Sequence, residues 1–231
     1  MFSYKKIVAT SQRYYLKGEN PKLLIVSGTH GDEPDTVPIV EEIVERSHDQ
    51  LPDFLYVPEI SPSALKLGTR RNVNGIDVNR SFYAGVNDEE VRQLMSLWSN
   101  YSFDLFLTFH EDPTNSEFYL YDGTIEENRE GRHLEGTQRL DLLRQDVLSA
   151  GVPLFNGVDD PDDPGLGFKA KDGYIHWPME YNDHSADYWL LVETKRAKQV
   201  INPEIPGLIS KDKKAQIVNS IFKRLVIEKI D

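Results

Sequence analysis

Lys22-Leu23-Leu24-Ile25-Val26-Ser27-Gly28-Thr29-His30-Gly31-Asp32-Glu33-Pro34 is the stretch that decides the fold class. Its short apolar run, ended by Gly28, reads as a strand buried on both faces, the kind that parallel sheets use. Pro34 stands where the first turn of a helix tolerates a missing N–H, and Val37, Ile39, Val40, Ile43 and Val44 continue at helical spacing to about Arg46. Strand, glycine turn and helix make the opening of an α/β unit, and they leave His30 just past the strand's C-terminal end.

The same grammar repeats outward from this segment. A strand is predicted at Phe54-Leu55-Tyr56-Val57-Pro58, followed by a long loop from Glu59 to Phe82 rich in Asn, Arg and Gly. Glu89 to Asn100 reads as a helix with Val91, Leu94, Met95 and Trp98 on one face. Phe103 to Phe109 reads as the next buried strand, with His110 just beyond it. Further along, a helix is predicted from Arg139 to Ala150, a hydrophobic strand from Asp187 to Val192 capped by Glu193, and a last helix from Asp212 to Glu228. The alternation predicts one α/β domain over residues 1–231, a twisted, mainly parallel (mixed) sheet flanked by helices.

Composition excludes several function classes. A net charge of −12 disfavours phosphate contacts, so no nucleic-acid partner is expected, and the acidity reads as a solvated surface. No segment approaches the roughly 20 apolar residues that span a bilayer. The start, Met1 to Gln12, is too polar for a signal peptide, so a soluble cytoplasmic chain without membrane contact is expected. There is no Cys, which removes disulfides and thiolate metal sites and leaves His, Asp and Glu as the available ligands. Asp159-Asp160-Pro161-Asp162-Asp163-Pro164 reads as an exposed loop.

In open α/β sheets the ligand crevice lies beyond the carboxyl ends of the strands. His30, Glu33, His110 and Glu193 all fall there. Two imidazoles and one carboxylate suit a tetrahedral zinc ion with an open fourth position, the arrangement of a catalytic zinc, and so point to a hydrolase.

With Arg70-Arg71-Asn72-Val73-Asn74-Gly75-Ile76-Asp77-Val78-Asn79-Arg80-Ser81-Phe82 lying between His30 and His110, the chain resembles the M14 metallocarboxypeptidase superfamily. The resemblance spans about residues 22 to 195. It implies one zinc ion held by His30, Glu33 and His110, with Glu193 as general base, Arg70 facing the developing oxyanion, and Asn79 and Arg80 gripping the substrate's terminal carboxylate. The implied reaction is Glu-assisted attack of water on an amide bond next to a free carboxylate, in a small peptide or an acylated amino acid. An N-acyl amino acid deacylase, of the succinylglutamate desuccinylase/aspartoacylase branch, is the alternative. Thr194 to Asp231 reads as loop and one helix, without that branch's C-terminal β domain. A zinc-binding protein without catalysis is a further alternative. The superfamily's mobile tyrosine has three candidates, Tyr174, Tyr181 and Tyr188. Gly173 to Trp177 resembles the side-chain pocket segment, which would put Ile175 and His176 beside the substrate.

Overall fold

Residues 4–7, 9–124, 134–159 and 167–228 are described by a computed structural model. In chain order the elements are β1 (Lys5–Lys6), β2 (Arg13–Leu16), β3 (Leu23–Val26), α1 (Thr36–Arg46), β4 (Phe54–Val57), α2 (Pro62–Leu67), α3 (Glu89–Trp98), β5 (Leu105–Thr108), β6 (His110–Asp112) and β7 (Tyr119–Gly123). They continue with α4 (Gln138–Ser149), β8 (Gly157–Val158), β9 (Lys169–Ala170), β10 (Tyr174–Trp177), α5 (Ala186–Tyr188), β11 (Val200–Pro206) and α6 (Lys211–Ile221).

Among the described residues the main sheet runs β1-β2-β4-β3-β5-β11-β7-β10, with β6 also pairing with β11. Its centre, β4-β3-β5-β11, is parallel; β7 is antiparallel to β11, and β10 runs parallel to β7. The strand period of two explains why β3 is apolar throughout. Leu23 and Ile25 enter one core with Val40, Leu143 and Ile217, from α1, α4 and α6, while Leu24 and Val26 enter a second core with Val91, Leu94 and Trp98 of α3. Both faces of the sheet are thus covered, and the crevice opens where β3, β5 and β11 end.

The α/β class and the mixed, mainly parallel sheet follow the sequence expectation; several elements do not. Asp187 to Val192 is helical, not a strand: α5 leads into a wide turn of π-type helix at Trp189–Glu193, whose Thr194 N–H reaches the Trp189 carbonyl at 2.9 Å. Ser185 caps its start by accepting from the Tyr188 N–H at 3.0 Å, and Trp189, Leu190 and Leu191 fill the second core. A short apolar run satisfies either period, and here the cap and the packing choose the helix. The long loop from Glu59 holds α2, capped by Ser61 and ended by Gly68 at φ +66°, and a 3₁₀ turn at Val78–Arg80 capped by Asp77.

Asp159 is buried, not on an exposed loop, and its carboxylate accepts the Tyr121 hydroxyl; residues 160–164 lie outside the described residues. No helix among the described residues is long and apolar enough to cross a membrane.

Candidate metal centre and cleft

Three elements deliver the expected ligands to one point. Gly28, at φ +64°, turns the chain off the end of β3. Gly31 then passes so close to α2 that a Cβ there would lie 1.9 Å from the Ala64 carbonyl oxygen, so only glycine lets the turn fold back. His30 and Glu33 are fixed on this turn before α1, and His110 opens β6 directly after β5. Nδ1 of His30 lies 2.5 Å from Glu33 Oε1, Nδ1 of His110 lies 3.1 Å from Glu33 Oε2, and the two rings stand 5.1 Å apart.

All three residues are buried, and their candidate ligand atoms lie within 4.8 Å of one another. Burial opposes charging of the His30 ring, but Glu33 and Asp77 outweigh it and push its pKa up to about 9. Burial likewise opposes ionisation of Glu33, yet the two imidazoles hold its carboxyl well below the usual range. Two imidazole nitrogens and a carboxylate turned toward one point, out of water, are a donor set that fits a divalent cation such as zinc.

The surroundings supply outer support. His30 Nε2 lies 3.2 Å from Asp77 Oδ1, the acceptor that fixes which nitrogen faces the ligand point. Arg70 Nε donates to the other oxygen of Asp77 at 2.9 Å. On the far side the Glu111 N–H donates to Glu33 Oε2 at 3.1 Å, and the Glu111 side chain accepts from buried Lys214 at 2.6 Å.

A cleft of about 950 Å³ opens over this cluster, and Arg70, Arg71, Asn79 and Arg80 line it. Asn79 Oδ1 accepts the Ala186 N–H at 3.1 Å, which ties the 3₁₀ turn to the start of α5 and leaves the Asn79 amide donors available. Arg80 lies 3.7 Å from Asp183, which keeps its guanidinium on the cleft wall.

Glu193 is not brought to this cluster. It is exposed at the end of the wide turn, accepts from Asn182 at 3.0 Å, and does not line the cleft. Among the carboxylates that do line it is Glu204 on β11, opposite His110 of β6 on one side and Tyr119 of β7 on the other. Burial pushes the Glu204 carboxyl up, with Glu33 and Asp112 adding to it against the pull of His110 and Arg70.

Sequence reasoning missed Glu204 because Pro203 and Pro206 interrupt the run Val200 to Pro206, and proline argues against a central strand. The available signal was a carboxylate embedded among Val200, Ile201 and Ile205. The pocket segment is corrected too. Ile175 is fully buried in the second core and His176 does not line the cleft, whereas Trp177 does, with Tyr119 and Tyr121. None of Tyr174, Tyr181 and Tyr188 lines it; the Tyr174 hydroxyl donates to Asp122 at 3.1 Å.

No family model matches the chain, and no curated protein does. Solved structures do. A candidate metallopeptidase from Shewanella baltica OS155 superposes with a TM-score of 0.73 at 22% identity, over 96% of this chain and 84% of the other. The murein-tripeptide amidase MpaA from Escherichia coli O157 gives 0.60 at 18% identity over 99% and 92%. The chain has the metallocarboxypeptidase fold. A metallo-carboxypeptidase from Burkholderia cenocepacia superposes on the same fold with a TM-score of 0.60 at 14% identity, the match covering 93% of this chain and 59% of that one.

One buried acid of this metallocarboxypeptidase fold carries a pH dependence. Asp187, in α5, is fully buried, and neither carboxylate oxygen has a hydrogen-bond partner among the described residues. Burial pushes its pKa from 3.8 up to about 7, against the pull of His110. The folded state therefore holds an extra proton between those values, so its stabilising contribution is full below about pH 4 and is lost as pH rises to about 7. The span corresponds to up to roughly 4 kcal/mol. Asp187→Asn removes this titration, so in chelator-treated protein the variant should gain stability over the parent from pH 5 to pH 8 in denaturant unfolding. Parallel curves at both pH values would contradict the assignment.

Proposed function

We propose that this chain is a metal-dependent hydrolase of the metallocarboxypeptidase type that cleaves an amide bond next to a free carboxylate, with Glu204 as its general base. The observation that carries the reading is the row across neighbouring strands that sets Glu204 beside His110, so that a proton acceptor and the His30, Glu33, His110 donor set face one cleft.

His30, Glu33 and His110 would hold the ion, and two imidazoles with one carboxylate are a ligand set suited to zinc. When bound, the ion supplies Lewis-acid polarisation of the scissile carbonyl and lowers the pKa of the attacking water. Every other part belongs to the chain. Glu204 takes the proton of the attacking water and passes it to the leaving nitrogen, a role suited to a carboxyl whose affinity for protons is raised by burial. Arg70, held by Asp77, stands on the cleft wall as a fixed positive charge for the developing oxyanion. Arg80 and the free amide donors of Asn79 receive the substrate's carboxylate, the guanidinium through its planar fork.

A blocked dipeptide with a free C-terminal carboxylate should be hydrolysed at least about a hundredfold faster, in kcat/KM, than its C-terminal amide, since the amide forgoes the charge-assisted hydrogen bonds that Arg80 and Asn79 offer a carboxylate. Equal rates on the two would remove the carboxylate-gripping role of Asn79 and Arg80.

A further inference from the structure

Lys214, Ile217, Val218 and Ile221 are the buried residues of α6, spaced i, i+3, i+4 and i+7. The last three enter the first core, and the pattern calls for an apolar residue at the first position too. Lys214 stands there instead and is only 2% exposed. An ammonium withdrawn from water is costly unless it is paired, and exchanging a buried ion pair for apolar side chains of similar size is often neutral or stabilising. The stability of the fold therefore does not account for this lysine.

Its partners do. Lys214 Nζ donates to Glu111 Oε1 at 2.6 Å and to Asp35 Oδ2 at 2.9 Å. Glu111 directly follows His110, and Asp35 comes two residues after Glu33, at the N-cap of α1. An aspartate in that position ordinarily accepts a helix N–H; the Asp35 side chain makes no such bond and is turned to Lys214 and Lys211. Glu111 Oε2 is buried with no hydrogen-bond partner among the described residues, so the bond to Lys214 is what fixes the side chain. The backbone of the same residue donates to Glu33 Oε2 at 3.1 Å, an oxygen that also lies 3.1 Å from His110 Nδ1. One ammonium thus joins the turn that carries His30 and Glu33 to the strand that carries His110, and it does so from a helix that lines no part of the cleft.

We propose that Lys214 is a positioning residue of the metal centre, locking the two ligand-bearing segments to each other through Asp35 and Glu111. The inference rests on the reading of His30, Glu33 and His110 as metal ligands. Without the lock, β6 and the turn before α1 are still held by the sheet and the core, but the Glu111 N–H is no longer held against Glu33 from the α6 side. The ligands then have to be gathered by the ion itself, and that ordering is charged against binding. Lys211 is the internal contrast. It approaches the same Asp35 at 3.7 Å with a side chain 59% exposed, and it makes no bond to Glu111, so it has no hold on the second segment.

The test compares zinc affinity, by competition with a chromophoric chelator, with the stability of the metal-free protein in urea. Lys214→Met alone would strand the Glu111 charge, so the informative variant is Lys214→Met with Glu111→Leu, which removes both charges and leaves neither without a partner. Its zinc affinity should fall by about 10–100-fold, the usual cost of losing an outer partner of a metal site, while its metal-free stability stays near that of the parent. Lys211→Met should leave affinity within about twofold. Parental affinity in the paired variant would overturn the proposal, since a lysine that serves only the core does not move metal binding. Should the paired variant not fold, Glu111→Ala, which leaves Lys214 its bond to partly exposed Asp35, carries the same expected loss and the same refutation. A parent protein that takes up no zinc would overturn the metal centre and the lock together; zinc held equally by parent and variant would overturn the lock alone.

Discussion

Glu204→Gln is expected to lower kcat by about a thousandfold, inside the 10²–10⁴ range that a positioned general base contributes, while KM and metal content stay near those of the parent. The substitution keeps the shape of the side chain and removes only its capacity to take a proton. Glu204 is opposite His110 in the strand register and lines the cleft, so the amide nitrogen that replaces one oxygen would still fit. Glu193→Gln is the matched control. That side chain is exposed and bonded to Asn182, and its substitution should change kcat by no more than about twofold, in keeping with the small effects of surface changes away from a site. The two variants separate Glu193, the base the family resemblance implies, from Glu204, which the strand register sets beside His110. Full activity of Glu204→Gln, or a large loss in Glu193→Gln, would return the base to the end of the wide turn and refute the strand-borne assignment.

The second large effect concerns the metal. His30→Ala and His110→Ala each remove one of two imidazoles from a three-residue donor set, and affinity for zinc should fall by well over a hundredfold in competition with a chromophoric chelator. Asp77→Asn should weaken binding less, by about 10–100-fold, because Asp77 touches the His30 ring and not the ligand point. The ordering matters more than any one value. If Asp77→Asn cost as much as His30→Ala, the cluster would be held together by its carboxylates and not by the histidines. Unchanged affinity in His110→Ala would exclude it from the ligand set.

The parts of the fold legible in the sequence are those in which one physical cause dominates. Leu23–Val26 is apolar because both faces are covered, and a glycine with positive φ must follow if His30 is to turn over the strand end. His110 after Leu105–Thr108 repeats the logic. The illegible parts are those in which two causes compete. Trp189 to Val192 carries no period that distinguishes strand from helix, and Ser185 and the second core decide it. Val200–Pro206 carries two prolines that argue against a strand, yet it lies in the middle of the sheet between β5 and β7. These two errors are coupled, since each misplaces one glutamate. The aromatic end of the cleft is illegible for a different reason: Tyr119 and Tyr121, Trp177 and Asn202 come from three strands remote in sequence, and only strand order makes them neighbours.

The most direct measurement is release of a C-terminal amino acid from a blocked peptide by protein stripped of metal and then reloaded with one equivalent of zinc. The account requires no release from the stripped protein, recovery on reloading, and no recovery in Glu204→Gln loaded to the same zinc content. Release that persists after stripping, or that returns fully in Glu204→Gln, would contradict it.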